Sequence, residues 1–188
     1  MERLICVLVG YVFGLIQTGY IYGKKNGVDL RKKGSGNAGT TNALRTMGWK
    51  AGAVTLLGDC FKCVAAVVVV HLIYGKTHTD MMPLLSMYAG MGAVLGHNYP
   101  FYLKFKGGKG IAATAGLIIS TTNIWIVLIC LATFIVIVAA TRYVSLGSMT
   151  VVTIYLISVI VCGQHGGFGV ENVSYLHEMY GVAAFLMI

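Results

Sequence analysis

Three polar, glycine-rich stretches carry the residues fit for chemistry in an otherwise apolar chain. The first is residues 34–48, GSGNAGTTNALRTMG. Gly34, Gly36 and Gly39 let successive backbone N–H groups converge into an anion nest. Ser35, Asn37, Thr40, Thr41 and Asn42 add side-chain donors, and Arg45 adds a planar fork suited to phosphate oxygens. The second is residues 96–114, GHNYPFYLKFKGGKGIAAT. Here Gly107, Gly108 and Lys109 stand just before an apolar run, and a helix N-terminus preceded in this way attracts anions. His97 reads either as a structural histidine or as a functional one beside a lysine-rich loop. Lys104 and Lys106 read as surface charges near anionic headgroups. The third is residues 141–148, TRYVSLGS, where Arg142 reads as an interface anchor and Ser145 or Ser148 as a helix cap. The chemistry all three point to is binding of phosphate or carboxylate.

Other motifs dissolve on context. Residues 34–39 match GxGxxG, and Asp59 follows Gly39 by 20 residues. A dinucleotide site needs a strand before the glycines and a βαβ unit around them, whereas an apolar span and a basic run precede these. The GK[ST] end of a P-loop is missing as well. His177-Glu178 does not extend to HExxH, because Gly181 stands where the second histidine would be, so no metal site is expected. Cys60 and Cys63 form a CxxC without a second ligand pair and read as small residues of a membrane core.

The elements that position these stretches follow from composition. The 188 residues are 57% hydrophobic and 11% charged, with a mean hydropathy of +0.79. A soluble domain carries about a quarter charged residues, so the fold class expected is an all-α integral membrane protein, a single polytopic unit over residues 1–188. Long apolar runs without alternation disfavour a transmembrane barrel. The runs are 4–22, 51–74, 82–103, 111–121, 123–141, 147–162 and 173–188. Residues 111–141 are too long for one span and divide at Ser120–Asn123. Residues 1–23 read as a first span without a cleavable leader, and 173–188, holding His177 and Glu178, as a last span that stops short. With the N-terminus outside, the inside loops hold eleven of the fourteen basic residues, which the positive-inside rule requires. The net charge of +8 therefore calls for no nucleic-acid partner. Asp59 and Lys62, three residues apart on one helix face, read as an ion pair joining helices or as lining of the site.

Over most of residues 10–150 the chain resembles the bacterial acylphosphate:glycerol-3-phosphate acyltransferases. Residues 34–48 look like that family's first motif and residues 96–114 like its second; TRYVSLGS and the Asp59/Lys62 span are weaker similarities. The resemblance implies seven spans in the bacterial inner membrane and a site facing the cytosol. It implies transfer of a fatty acyl group from acyl phosphate to the 1-hydroxyl of glycerol 3-phosphate, giving lysophosphatidic acid and phosphate without a cofactor. Membrane lipid would hold the donor's tail. Ser35, Arg45 and Lys109 would bind phosphate and His97 would orient the glycerol hydroxyl or assist its deprotonation. Gly36, Asn37 and Gly39 would form a backbone cradle; Gly34, Thr41, Asn42, Gly107, Gly108, Arg142 and Ser145 would complete the substrate contacts. Where the family tends to have Pro-Ser, Gln17-Thr18 stand here. The family's cytosolic segment after the seventh span, with His-Arg, an Asn, Arg-Leu and a Gly followed by Glu, does not occur in this sequence. The rival reading is a transporter or channel for small phosphorylated anions.

Overall fold

The computed structural model describes residues 1–186, and among these all regular structure is helical. In chain order the helices are α1 (Glu2–Gly14), α2 (Thr18–Lys25), α3 (Thr40–Met47), α4 (Trp49–Tyr74), α5 (Met82–Asn98), α6 (Ile111–Thr121), α7 (Ile124–Thr141), α8 (Val144–Gln164) and α9 (Val173–Phe185). Large apolar side chains face outward: Leu8, Val12, Leu72, Trp125 and Val136 are all more than half exposed, and Cys130 is the buried residue of α7. Such a surface is stable only in lipid, so the chain is a multi-pass membrane protein. Four segments are long and apolar enough to cross a membrane: residues 2–25, 49–74, 124–141 and 144–164. The helices α5, α6 and α9 are shorter, at 17, 11 and 13 residues.

Several boundaries differ from those expected, each for a local reason. The run 4–22 is two helices, because the chain breaks at Leu15-Ile16-Gln17. The run 82–103 stops at Asn98, since Pro100 removes a donor and biases Tyr99 out of the helical region. The division of 111–141 falls where expected, and the Asn123 carboxamide oxygen accepts from the Ile126 N–H at 3.1 Å to start α7. Neither Ser145 nor Ser148 caps α8. That helix starts at Val144 without a side-chain cap, and the Ser148 hydroxyl donates back to the Val144 carbonyl at 2.8 Å. The polar segment 23–50, read as a loop, contains α3. The last two residues of the run 173–188 lie outside the described residues.

Small residues let the helices touch. Lipid gives apolar side chains no reason to leave it, so close van der Waals contact has to hold a membrane bundle together. Helix α1 carries Gly10 and Gly14, α5 carries Gly92 and Gly96, and each pair has GxxxG spacing. A Cβ at Gly10 would run into the Ala89 carbonyl and one at Gly14 into the Ala93 carbonyl; a Cβ at Gly92 would meet the Val7 carbonyl and one at Gly96 the Tyr11 carbonyl. On the other side of the core, Gly116 of α6 lies against the Cys60 carbonyl and the Cys63 side chain of α4. Helix α9 is clasped to α1 and α5: Arg3 donates to both Glu178 carboxylate oxygens, at 2.6 and 2.8 Å, and the Tyr88 hydroxyl donates to the same group at 3.2 Å. Because the atoms facing Gly92 are backbone, the substitution Gly92→Leu forces α1 and α5 apart. It is expected to destabilise the bundle by about 1–3 kcal/mol or more, read as a lower unfolding midpoint in detergent; the exposed control Leu72→Ala leaves the midpoint unchanged.

Candidate active site

The break between α1 and α2 is where the site is built. Ending a helix inside the bilayer leaves carbonyls without partners, and each such group is costly there. All three carbonyls around this break receive side-chain donors. The Lys62 ammonium donates to Gly14 O at 3.2 Å and to Ile16 O at 2.7 Å. The Tyr102 hydroxyl donates to Leu15 O at 2.6 Å, and the Gln17 carboxamide donates to Gly14 O at 3.3 Å.

Lys62 belongs to a buried cluster. Its Nζ lies 2.9 Å from Asp59 Oδ1 and 2.7 Å from His97 Nδ1. The Nδ1 edge of the ring faces both Lys62 and Asp59, whose Oδ1 is 3.5 Å away, and the far edge carries Nε2. That nitrogen faces Gly108 so closely that a Cβ there would overlap the ring. The His97 carbonyl accepts from the Gln17 carboxamide at 2.9 Å and from the Gly108 N–H at 3.1 Å. Asp59, Lys62 and His97 are all at most 4% exposed. The ion pair expected from their spacing is thus present, and His97 joins it rather than the solvent-facing surface. Nδ1 is engaged within the protein, and Nε2 lies on the opposite edge of the ring beside the Gly108 backbone.

Two loops face each other across a cleft of about 310 Å³. One wall comes from the segment between α2 and α3, through Arg31, Lys32, Ser35, Gly36 and Asn37; the other comes from Lys104, Lys106 and Gly107. The two glycine-rich stretches are therefore brought together. Among the described residues, Lys32, Lys104 and Lys106 form no salt bridge. Arg31 is held: it pairs with Asp29 at 3.1 Å and lies 4.6 Å from the Tyr20 ring centroid. The hydrogen bond from Arg31 holds the Asp29 carboxyl below the usual carboxylate range, so it stays ionised and keeps Arg31 in place. The lining carries four cationic side chains against one carboxylate, Asp29, so its net charge is positive.

The residues expected in the site take different places in the fold. Asn42 is 2% exposed and organises its loop from inside. Its carboxamide nitrogen donates to the carbonyls of Leu30, Lys33 and Asn37, at 3.0, 3.0 and 2.8 Å, and its oxygen accepts from Ser35 N–H at 2.9 Å. It has nothing left for a substrate. In the expected backbone cradle, Gly36 N–H donates to Lys33 O and Gly39 N–H to Asn37 Oδ1. Gly107 N–H donates to Asn98 O. The glycines serve close approach and turning, with φ of +60° at Gly34 and +73° at Gly36. Ser35, Gly36, Asn37 and Gly107 line the cleft, whereas Arg45, Thr41 and Lys109 are exposed outside its lining. Arg142, at φ +62°, and Ser145 are exposed at the α7–α8 connection and do not line it either.

Lys104 and Lys106, expected to face headgroups, stand in the cleft wall. What puts them there left no mark in the residue types. Lys104 and Phe105 take φ of +57° and +58° in succession, a region that costs a non-glycine residue roughly 1–2 kcal/mol. Bonds from Lys104 N–H to Phe101 O and from Phe105 N–H to Pro100 O hold the turn, at 3.1 and 3.0 Å.

With this geometry in view, the chain compares closely with known proteins. Residues 4–188 match the family model described as glycerol-3-phosphate acyltransferase. The glycerol-3-phosphate acyltransferase of Clostridioides difficile is 46% identical over 147 residues, 78% of this chain and 71% of that one. That of Bacillus subtilis is 41% identical over 144 residues, 76% and 70% of the two chains. Among solved structures, the integral membrane glycerol 3-phosphate acyltransferase PlsY in its glycerol 3-phosphate form superposes with a TM-score of 0.80 at 30% identity, covering 100% of this chain and 86% of that one. Its lysophosphatidic acid form gives 0.76 at 29% identity, covering 100% and 87%. This chain therefore belongs to the glycerol-3-phosphate acyltransferase family.

Proposed function

We propose that this protein transfers a fatty acyl group from acyl phosphate to the 1-hydroxyl of glycerol 3-phosphate, giving lysophosphatidic acid and inorganic phosphate. The observation that carries the reading is the cationic cleft between the two glycine-rich loops, in a family with a solved member, PlsY, described in a glycerol 3-phosphate form and a lysophosphatidic acid form. The glycerol oxygen attacks the acyl carbonyl carbon and forms the ester bond. The bond between that carbon and the phosphate oxygen breaks, and the departing phosphate takes up the hydroxyl proton. Because the donor is already activated, no covalent enzyme intermediate is needed, and positioning with charge stabilisation suffices. Lys32, Lys104 and Lys106 neutralise phosphate in the cleft, and Ser35 and Asn37 add hydrogen bonds. Arg45 and Lys109, on the same two segments, meet the second phosphate as it approaches from the interface. Exposed Tyr99, Phe101 and Phe105 beside the second loop support a cleft at headgroup depth, where aromatic side chains concentrate.

The topology proposed with this function is seven membrane segments, N-terminus outside and both loops in the bacterial cytosol, α1 and α2 forming a single broken segment. The distribution of lysines and arginines supports it. Three measurements test these readings. Purified protein in lipid, given acyl phosphate and glycerol 3-phosphate, is expected to release phosphate and lysophosphatidate in equal amounts; solute flux in sealed vesicles without product would replace the enzyme by a transporter. The double substitution Lys104→Ala/Lys106→Ala is expected to raise the KM for glycerol 3-phosphate at least tenfold, and a wild-type KM would remove the cleft from the reaction. In a background without the native cysteines, Lys109→Cys should react with an impermeant maleimide only from the cytosolic side and Lys76→Cys only from the outside; labelling of both from one side contradicts the topology.

A further inference from the structure

We infer that Lys62 is a positioning residue for glycerol 3-phosphate: it sets the spacing of the two cleft walls without touching substrate. This rests on the cleft reading above. The observations are geometric. Lys62 sits midway along α4 and uses one ammonium group to tie two separate pieces of chain to that helix. Through Gly14 O and Ile16 O it fixes the break that leads into α2. Helix α2 in turn carries the first wall: Gly19 packs directly on the Ala38 carbonyl, and Gly23 lies against the Val28 carbonyl and the Leu30 side chain. Through His97 Nδ1 it fixes an imidazole whose far edge bears on Gly108, and Gly107 and Gly108 begin the second wall's return to α6. Asp59 holds the ammonium at 2.9 Å and belongs to the same helix, so the anchor does not move with either wall.

Two features separate this from an ion pair that merely joins helices. Asp59 accepts from one of the three N–H donors of the ammonium, and the remaining donors go to carbonyls of one wall's support and to the histidine of the other's, so the group ties both walls to one helix. Moreover, Gln17 duplicates the tie, donating to Gly14 O, Gly96 O and His97 O at 3.3, 3.4 and 2.9 Å. Both side chains bridge the same two places, the α1–α2 break and the end of α5. The fold would survive a looser junction there. The distance between Ser35 on one loop and Lys104 and Lys106 on the other would not.

The test separates positioning from stability. Lys62→Met leaves Asp59 as a buried unpaired carboxylate and is expected to fold poorly. The double variant Asp59→Asn/Lys62→Met removes both charges and keeps the shape. It is expected to unfold within a few degrees of wild type in detergent, to keep the wild-type KM for acyl phosphate, and to raise the KM for glycerol 3-phosphate about tenfold or more. His97→Leu, with Lys62 and Asp59 intact, should raise the same KM. A folded double variant with a wild-type KM for glycerol 3-phosphate overturns the inference. So does a fall in kcat alone, which reports only a smaller active fraction. Absence of acyl transfer by the wild-type protein would instead strike at the proposed function.

Discussion

A lysine ammonium held among a carboxylate, two carbonyls and an imidazole is the constraint on which the rest of this structure depends. A first membrane segment that simply continued would carry its polar C-terminal part straight out of the bundle. Breaking it at Leu15–Gln17 turns the chain and lets α2 lie against α4, but the break exposes carbonyls at membrane depth. Lys62, Gln17 and Tyr102 supply the missing donors. The break is thus stable only because the second and third membrane segments reach into it. A charge at membrane depth is costly by itself; here a full set of acceptors surrounds it, and the cost becomes a requirement for one particular arrangement of three segments.

That arrangement has a consequence at the membrane surface. Loops rich in glycine and lysine repel one another and have little apolar area to pack. They stay together because their roots are fixed below them: one through α2, the other through His97 and Gly108. The cleft between them can then keep its cationic side chains largely free of internal ion pairs, Arg31 with Asp29 being the exception. Glycine contributes by letting backbone come close, in the α1–α5 contact as well as at Gly108 against the His97 ring. The loop N–H groups of Ser35, Gly36, Gly39, Gly107 and Gly108 are engaged within the protein, which leaves the cationic side chains as the charge the cleft presents.

The all-helical membrane class was legible from hydropathy alone, because long apolar runs have few other fates. The division at Asn123 was legible too, since a carboxamide beside threonines interrupts an apolar run and caps the next helix. The two motif segments were legible as cationic, glycine-rich loops, and they do meet. What could not be read was which residues in them line the cleft. Asn42 and Ser35 are both polar residues in one short stretch, and only the fold turns one inward and the other to the cleft. Lys104 and Lys106 were hidden by a left-handed turn that no glycine announces. The break at residues 15–17 was hidden because its compensation comes from Lys62 and Tyr102, far along the chain. Gln17, where the family tends to have proline, proves to be a buried donor to three carbonyls.

The most direct test of the central claim is an experimental structure of this protein in lipid with glycerol 3-phosphate bound. The account predicts phosphate density between Ser35 and Asn37 on one loop and Lys104 and Lys106 on the other, with the Lys62 cluster intact and dry beneath it. Phosphate seated instead at Lys109 and the start of α6, or at Arg142 and Ser145, with the cleft empty, would contradict it.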